Sequence, residues 1–181
     1  IYALNKYGTL SLEEIISPAI ELALEGWPLD SYTAESFKRY GDSFQKYESS
    51  FKVFTNNGEP YEEGEKFKQP ELGWTLTQIK NFGIEGFYEG KVAELLVDQI
   101  RKLGGHITLD DLRKYKPVER EPIVGSYRGH KIISMGPPSS GGIALVQLLN
   151  ILESFKFRTN DWGSSGYINK LAESMKYVYA D

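Results

Sequence analysis

Apolar residues in the first part of this chain recur at helical spacing. Leu12, Ile15, Ile16, Ala19, Ile20, Ala23 and Leu24 fall on one side of a 3.6-residue repeat, as a helix with one buried face requires. Ser11 followed by Glu14 supplies a capping-box pattern at the start. Pro18 has no amide hydrogen to give to a continuing helix. The pattern therefore predicts two short helices, with Ser17 and Pro18 as cap and first residue of the second, stopped by Gly26 and Pro28. Over residues 31–51, aromatics recur three and four positions apart: Phe37, Tyr40, Phe44, Tyr47 and Phe51. Such a stripe predicts a helix that packs its rings into a core, and the alternative is a stacking surface for a sugar or peptide. Asn56-Asn57-Gly58 marks a turn between short strands. The charged, Gly/Pro-punctuated stretch from Glu59 to Pro70 reads as a surface loop.

Further along, Thr75 to Ile84 predicts a helix, with punctuation at Gly83, Gly86 and Gly90. Val92, Leu95, Leu96, Ile100 and Leu103 line the next amphipathic helix, which Gly104-Gly105 ends. Thr108 with Asp111 caps a short helix through Tyr115, and Pro117 and Pro122 prevent its extension. The period then changes. Ile123 to Tyr127 and Lys131 to Met135 are β-rich and separated by Arg128-Gly129, so they predict a hairpin. Pro137-Pro138-Ser139-Ser140-Gly141-Gly142 leads into a helix over 143–155 that is apolar on nearly every side and is expected to be buried. Asn160 to Gly166 reads as a loop, and Leu171 to the end as a helix with Met175 and Val178 on one face. The sum is an α+β fold, mostly helical with a β-hairpin. No repeat or linker divides the chain, so 1–181 is expected to form a single domain or part of one.

Composition narrows the function classes. Apolar residues make up 40% of the chain and charged residues 25%, which fits an ordinary globular chain. The formal net charge of −4 gives no electrostatic footprint for nucleic acid, so no nucleic-acid partner is expected. The absence of cysteine excludes disulfides, thiolate metal ligation and cysteine nucleophiles within this chain. No apolar run approaches the roughly 20 residues that span a bilayer, so no membrane segment is expected in it. The chain begins without methionine and ends at Tyr179-Ala180-Asp181 inside a helical pattern, so it is expected to be a piece of a longer protein.

Few residues suggest chemistry of their own. His106 and His130 each stand beside a glycine, without an acidic neighbour at metal-ligand spacing, and read as loop histidines. Ser139 and Ser140 lie outside a nucleophile-elbow pattern. Asp110-Asp111 reads as helix-cap acid rather than a working carboxylate pair. The segment from Pro137 to Gly142 reads as a strand-to-helix connection, with a serine able to cap the helix and glycines allowing close packing. Free amides at that helix start could alternatively bind an anion. The expectation for this chain is therefore no catalytic residue, no cofactor site and no metal site.

One combination of motifs is specific. It runs from Gly104-Gly105-His106-Ile107-Thr108-Leu109-Asp110-Asp111-Leu112 through Tyr115, Arg120-Glu121-Pro122 and Tyr127-Arg128-Gly129. It continues through Pro137-Pro138-Ser139-Ser140-Gly141-Gly142, Gln147 and Leu149-Asn150-Ile151-Leu152-Glu153 to Ala172-Glu173, Met175-Lys176 and Tyr179-Ala180-Asp181. Upstream, Ser17-Pro18-Ala19-Ile20, Gln69-Pro70-Glu71-Leu72 and Gly86-Phe87-Tyr88-Glu89-Gly90 extend it. In this order the set resembles the large subunit of the γ-glutamyltransferase (γ-glutamyltranspeptidase) family over nearly the whole chain. Gly136, Asn169 and Ser174 depart from the usual family residues.

The resemblance implies part of an N-terminal-nucleophile hydrolase with an αββα fold. In that family a precursor cleaves itself into large and small subunits. The threonine that begins the small subunit is the nucleophile, with its own α-amino group as base. The enzyme passes a γ-glutamyl group from glutathione to water, an amino acid or a peptide. The resemblance places that threonine after Asp181, and the arginine that grips the substrate α-carboxylate before Ile1. None of the seven threonines here sits in the nucleophile's motif. The implied partners are the rest of the large subunit, the small subunit and a γ-glutamyl substrate. The implied location is periplasmic or secreted. A capsule poly-γ-glutamate transferase or a cephalosporin or glutaryl acylase of the same superfamily is the alternative. A non-catalytic peptide- or glycan-binding module stands behind both. Self-association of the separate chain, through a face around Leu145, Leu149 and Leu152, is also expected.

Overall fold

A computed structural model describes residues 1–180; Asp181, which the sequence pattern puts at the end of the last helix, lies outside them. Among the described residues the fold is mostly helical with three two-stranded antiparallel sheets, an α+β arrangement. The chain gathers into two compact units, Ile1–Pro117 and Val118–Asp181.

The first unit opens with α1 (Tyr2–Tyr7) and α2 (Leu12–Glu25). The capping box forms as predicted: Glu14 N–H donates to Ser11 Oγ at 3.2 Å, and Ser11 N–H donates to Glu14 Oε2 at 2.8 Å. The predicted break at Pro18 does not occur, because α2 runs through it. A proline inside a helix forfeits one backbone hydrogen bond. Packing along α6 (Pro70–Phe82) offsets that loss. The two helices meet closely at Gly73, where an added Cβ would sit 2.5 Å from Leu24 Cδ2.

β1 (Trp27–Pro28) leads into three helical pieces, α3 (Ser31–Arg39), α4 (Gly41–Phe44) and α5 (Glu48–Phe54). The aromatic stripe is thus broken across short helices rather than carried by one. Its rings divide. Phe37 and Phe44 turn inward, with ring centroids 5.2 Å from Phe67 and 4.8 Å from Phe54 respectively. Tyr40 and Tyr47 stay exposed, their hydroxyls favouring water. β2 (Thr55–Asn56) and β3 (Glu59–Pro60) pair across the Asn57-Gly58 turn. Both turn residues have positive φ, 54° and 93°, which defines a type I′ hairpin.

The expected surface loop over 59–70 stays mostly exposed, but it carries two short strand segments and sends Phe67 into the core. β4 (Lys66–Phe67) pairs with β1, placing Phe67 opposite Trp27. Phe67 is 3% exposed and contacts Trp27, Phe37, Phe54 and Tyr61. Two aromatics at a spacing of six, set among six charges between Glu59 and Lys68, hide this role from composition alone. The unit closes with α7 (Glu85–Tyr88), α8 (Gly90–Lys102) and α9 (Leu109–Lys114). α8 buries Val92, Ala93 and Val97, while Leu95 and Leu103 of the predicted face are exposed. α9 carries the predicted Thr108–Asp111 capping box.

The second unit is a hairpin, two helices and a short turn. β5 (Ile123–Tyr127) and β6 (His130–Ser134) form the predicted hairpin around Arg128-Gly129, with β6 one residue earlier than the predicted Lys131 to Met135. α10 (Gly141–Glu153) lies across the hairpin, and a 3₁₀ turn (Thr159–Asp161) leads to α11 (Ser165–Val178), which packs on α10. α11 begins six residues before the predicted Leu171, with Ser164 accepting from Tyr167 N–H at 3.2 Å as its cap. α10 is not buried as expected. Leu152 is 9% exposed, but Ile143 and Leu145 are 47% and 41% exposed. Of the face expected to be open, Leu145 is open while Leu152 is covered. The hairpin and α11 lie against the helix, and its exposed residues show that a helix apolar on nearly every side needs more cover than they give.

Candidate functional site

The Pro137–Gly142 connection is built for close packing. Gly142 is buried, and a Cβ on it would overlap the backbone carbonyl of Met135. Ser139 N–H donates to Gly136 O at 3.1 Å, and its Oγ accepts from Gly141 N–H at 3.3 Å. The hydroxyl at this helix start is therefore that of Ser139; Ser140 makes no side-chain cap. Gly125 on β5 permits the same closeness on the hairpin, its absent Cβ leaving room for Val146 Cγ1 of α10.

The other residues that suggested chemistry are dispersed. His106 and His130 are both exposed, one in each unit. Among the described residues no group of three His, Cys, Asp or Glu side chains could hold a metal ion. Three hydroxyl–carboxylate pairs have the distance of a nucleophile and its base: Ser11 with Glu14 at 2.7 Å, Thr33 with Asp30 at 2.8 Å and Thr108 with Asp111 at 2.7 Å. Each closes the first turn of one helix. The hydrogen bonds hold all three carboxyls below their ordinary range, from the Ser11 hydroxyl and amide for Glu14, the Thr33 amide and hydroxyl for Asp30, and the Thr108 hydroxyl and amide for Asp111. A general base works best with a pKa near the operating pH, and these move the other way. Their role is capping. Burial pushes the Tyr61 hydroxyl up, with the Glu65 charge adding to it, as expected for a ring in the aromatic core.

The second unit also holds an open cleft of about 270 Å³ lined by Tyr127, Arg128, Leu152, Phe157, Arg158 and Trp162, among others. Arg128 organises one wall. Its amide donates to Glu153 Oε1 at 2.8 Å, its guanidinium donates to Phe155 O at 3.2 Å, and the same group lies 5.1 Å and 5.5 Å from the Tyr127 and Phe157 ring centres. Lys170 Nζ stands 5.6 Å from the Phe157 ring centre. These contacts pin the hairpin turn to the end of α10. The sequence marked Tyr127-Arg128-Gly129 as part of a motif and Arg128-Gly129 as a hairpin turn, and nothing local to it foretold contacts some 25 residues away.

The comparisons with known proteins cover the whole chain. A family model described as gamma-glutamyltranspeptidase matches residues 1–181. The glutathione hydrolase proenzyme of Escherichia coli K12 is 43% identical over 180 residues, which is 99% of this chain and 31% of that protein. The crystal structure of Helicobacter pylori gamma-glutamyltranspeptidase is 47% identical and superposes with a TM-score of 0.95, over 99% of this chain and 52% of that one. The cephalosporin acylase of Bacillus halodurans is 31% identical with a TM-score of 0.90, over 98% of this chain and 34% of that one. The chain thus spans about a third of the length of the curated relative.

Proposed function

Because the chain belongs to the gamma-glutamyltranspeptidase family, we propose that it is a scaffold segment of the large subunit of a γ-glutamyltransferase. The parent enzyme cleaves the γ-glutamyl bond of glutathione. It passes the acyl group to water, an amino acid or a peptide through a γ-glutamyl ester on the N-terminal threonine of the small subunit. In this reading the segment contributes helices and a hairpin to one side of an αββα fold and supplies no catalytic group. Its partners are the rest of the large subunit and the small subunit of the same precursor. The parent acts in the periplasm or outside the cell. The observation that carries this reading is identity of 43% and 47% to a glutathione hydrolase and a gamma-glutamyltranspeptidase across 99% of the chain. The capping role of its perturbed carboxylates supports the absence of catalytic groups.

Acylase activity in the parent is the second reading, favoured by the close superposition on the cephalosporin acylase. The lower identity of that relative, 31% against 47%, ranks it second. The test is to assay the matured parent with γ-glutamyl-p-nitroanilide, with and without a dipeptide acceptor, beside a glutaryl-cephalosporin. Turnover of the γ-glutamyl substrate, stimulated by the acceptor, is expected. Turnover of the glutaryl substrate alone would establish the acylase reading. Residues 1–181 expressed separately are expected to turn over neither, and activity there would overturn the scaffold role.

A further inference from the structure

We propose that Asn57 is a site of spontaneous deamidation, set by the two-residue turn that joins β2 and β3. It is the only asparagine in the chain followed by glycine. Deamidation starts when the backbone nitrogen of the next residue attacks the asparagine Cγ, and a side chain on that next residue hinders the approach. The followers of Asn5, Asn56, Asn81, Asn150, Asn160 and Asn169 all carry side chains. Both Asn57 and Gly58 are exposed, so water and hydroxide reach them.

The turn supplies the geometry. With φ of 54° and 93° the pair forms a type I′ turn, and no hydrogen bond holds the Gly58 amide among the described residues. Rotating the single peptide plane between Asn57 and Gly58 converts type I′ to type II′ without moving the strands, since the two types differ in that plane and share positive φ at the first position. The rotation swings the Gly58 nitrogen toward the Asn57 side chain. The deprotonated nitrogen forms a bond to Cγ, the Cγ–nitrogen bond of the side-chain amide breaks, and ammonia leaves with a proton from water. Water then opens the resulting succinimide. Attack at the side-chain carbonyl gives aspartate, and attack at the main-chain carbonyl gives isoaspartate. The first product puts a carboxylate beside Glu59, and the second adds a methylene to a turn that holds Thr55 opposite Pro60.

The test uses the folded, matured parent, incubated at mildly alkaline pH and digested for peptide mass spectrometry. The peptide containing Asn57 is expected to gain one mass unit before any peptide bearing another asparagine of this segment. The rate should rise with pH in proportion to hydroxide, and an isoaspartate methyltransferase should label the product. Asn57→Gly keeps a residue suited to positive φ and is expected to remove the signal while leaving the melting temperature unchanged. Earlier conversion of another of these asparagines, or conversion of Asn57 only after unfolding in denaturant, would overturn the proposal.

Discussion

Gly142 shows how one missing methyl group decides packing. Any Cβ at this position meets backbone, the Met135 carbonyl, and backbone cannot rotate aside as a side chain can. Gly142→Ala is therefore expected to cost about 3 kcal/mol, the upper part of the usual range for overpacking. Gly125→Ala first meets the Val146 side chain, which can shift, and should cost less. Denaturant melts of the parent would check the ranking, and equal stability of the two variants would refute it. In the parent, Gly142→Val is expected to impair folding or self-cleavage rather than substrate affinity; a fully matured variant with only a raised KM would place this segment at the substrate site. At the other end of the size scale, Phe67 meets four rings and is 3% exposed. Phe67→Ala should cost roughly 3–5 kcal/mol, the range for emptying a buried aromatic site.

At the scale of elements, capping carries a pH dependence whose sign follows from the depressed carboxyls. Glu14, Asp30 and Asp111 are more acidic in the folded chain than in the unfolded one. Their contribution is complete above the unfolded values of about 4.5 for glutamate and 3.8 for aspartate. It is lost as pH falls through the lower folded values. Melting temperature should hold steady from neutral pH to about pH 5 and decline below. Glu14→Gln and Asp111→Asn should flatten that decline, and an unchanged slope in both variants would refute the assignment. Thr108→Ala should cost about 1 kcal/mol, as loss of a cap usually does. The Ser11–Glu14 and Thr108–Asp111 caps were legible in the sequence because a capping box is local: four residues contain both partners. The β5–β6 hairpin was legible for the same reason. Pro18 misled because its local cost is real but is outweighed by packing on α6, a partner some fifty residues away. Phe67 was missed because its burial depends on pairing with β1 across nearly forty residues of intervening chain.

At the scale of the whole chain, apolar surface is the dominant feature. Ile143 and Leu145 on α10, and Val124, Ile133 and Met135 on and just after the hairpin, are all more than 40% exposed. Residues 1–181 expressed separately are expected to self-associate, and sedimentation would read this directly. A monomer with a sharp melt above about 65 °C, beyond the usual mesophile range, would contradict it. The proposal that this segment supplies no catalytic residue rests on the family's motif order, because no local pattern announces that a nucleophile lies elsewhere. Trp162 has a practical use that follows from its position. It is 80% exposed, its ring centre lies 5.2 Å from that of Tyr167, and it is the sole tryptophan of the second unit. With Trp27 and Trp74 replaced by phenylalanine, the fluorescence of the segment would come from that one indole. A blue shift and protection from iodide quenching as other chains are added would then give an optical signal for coverage of that side of the second unit, without any attached dye.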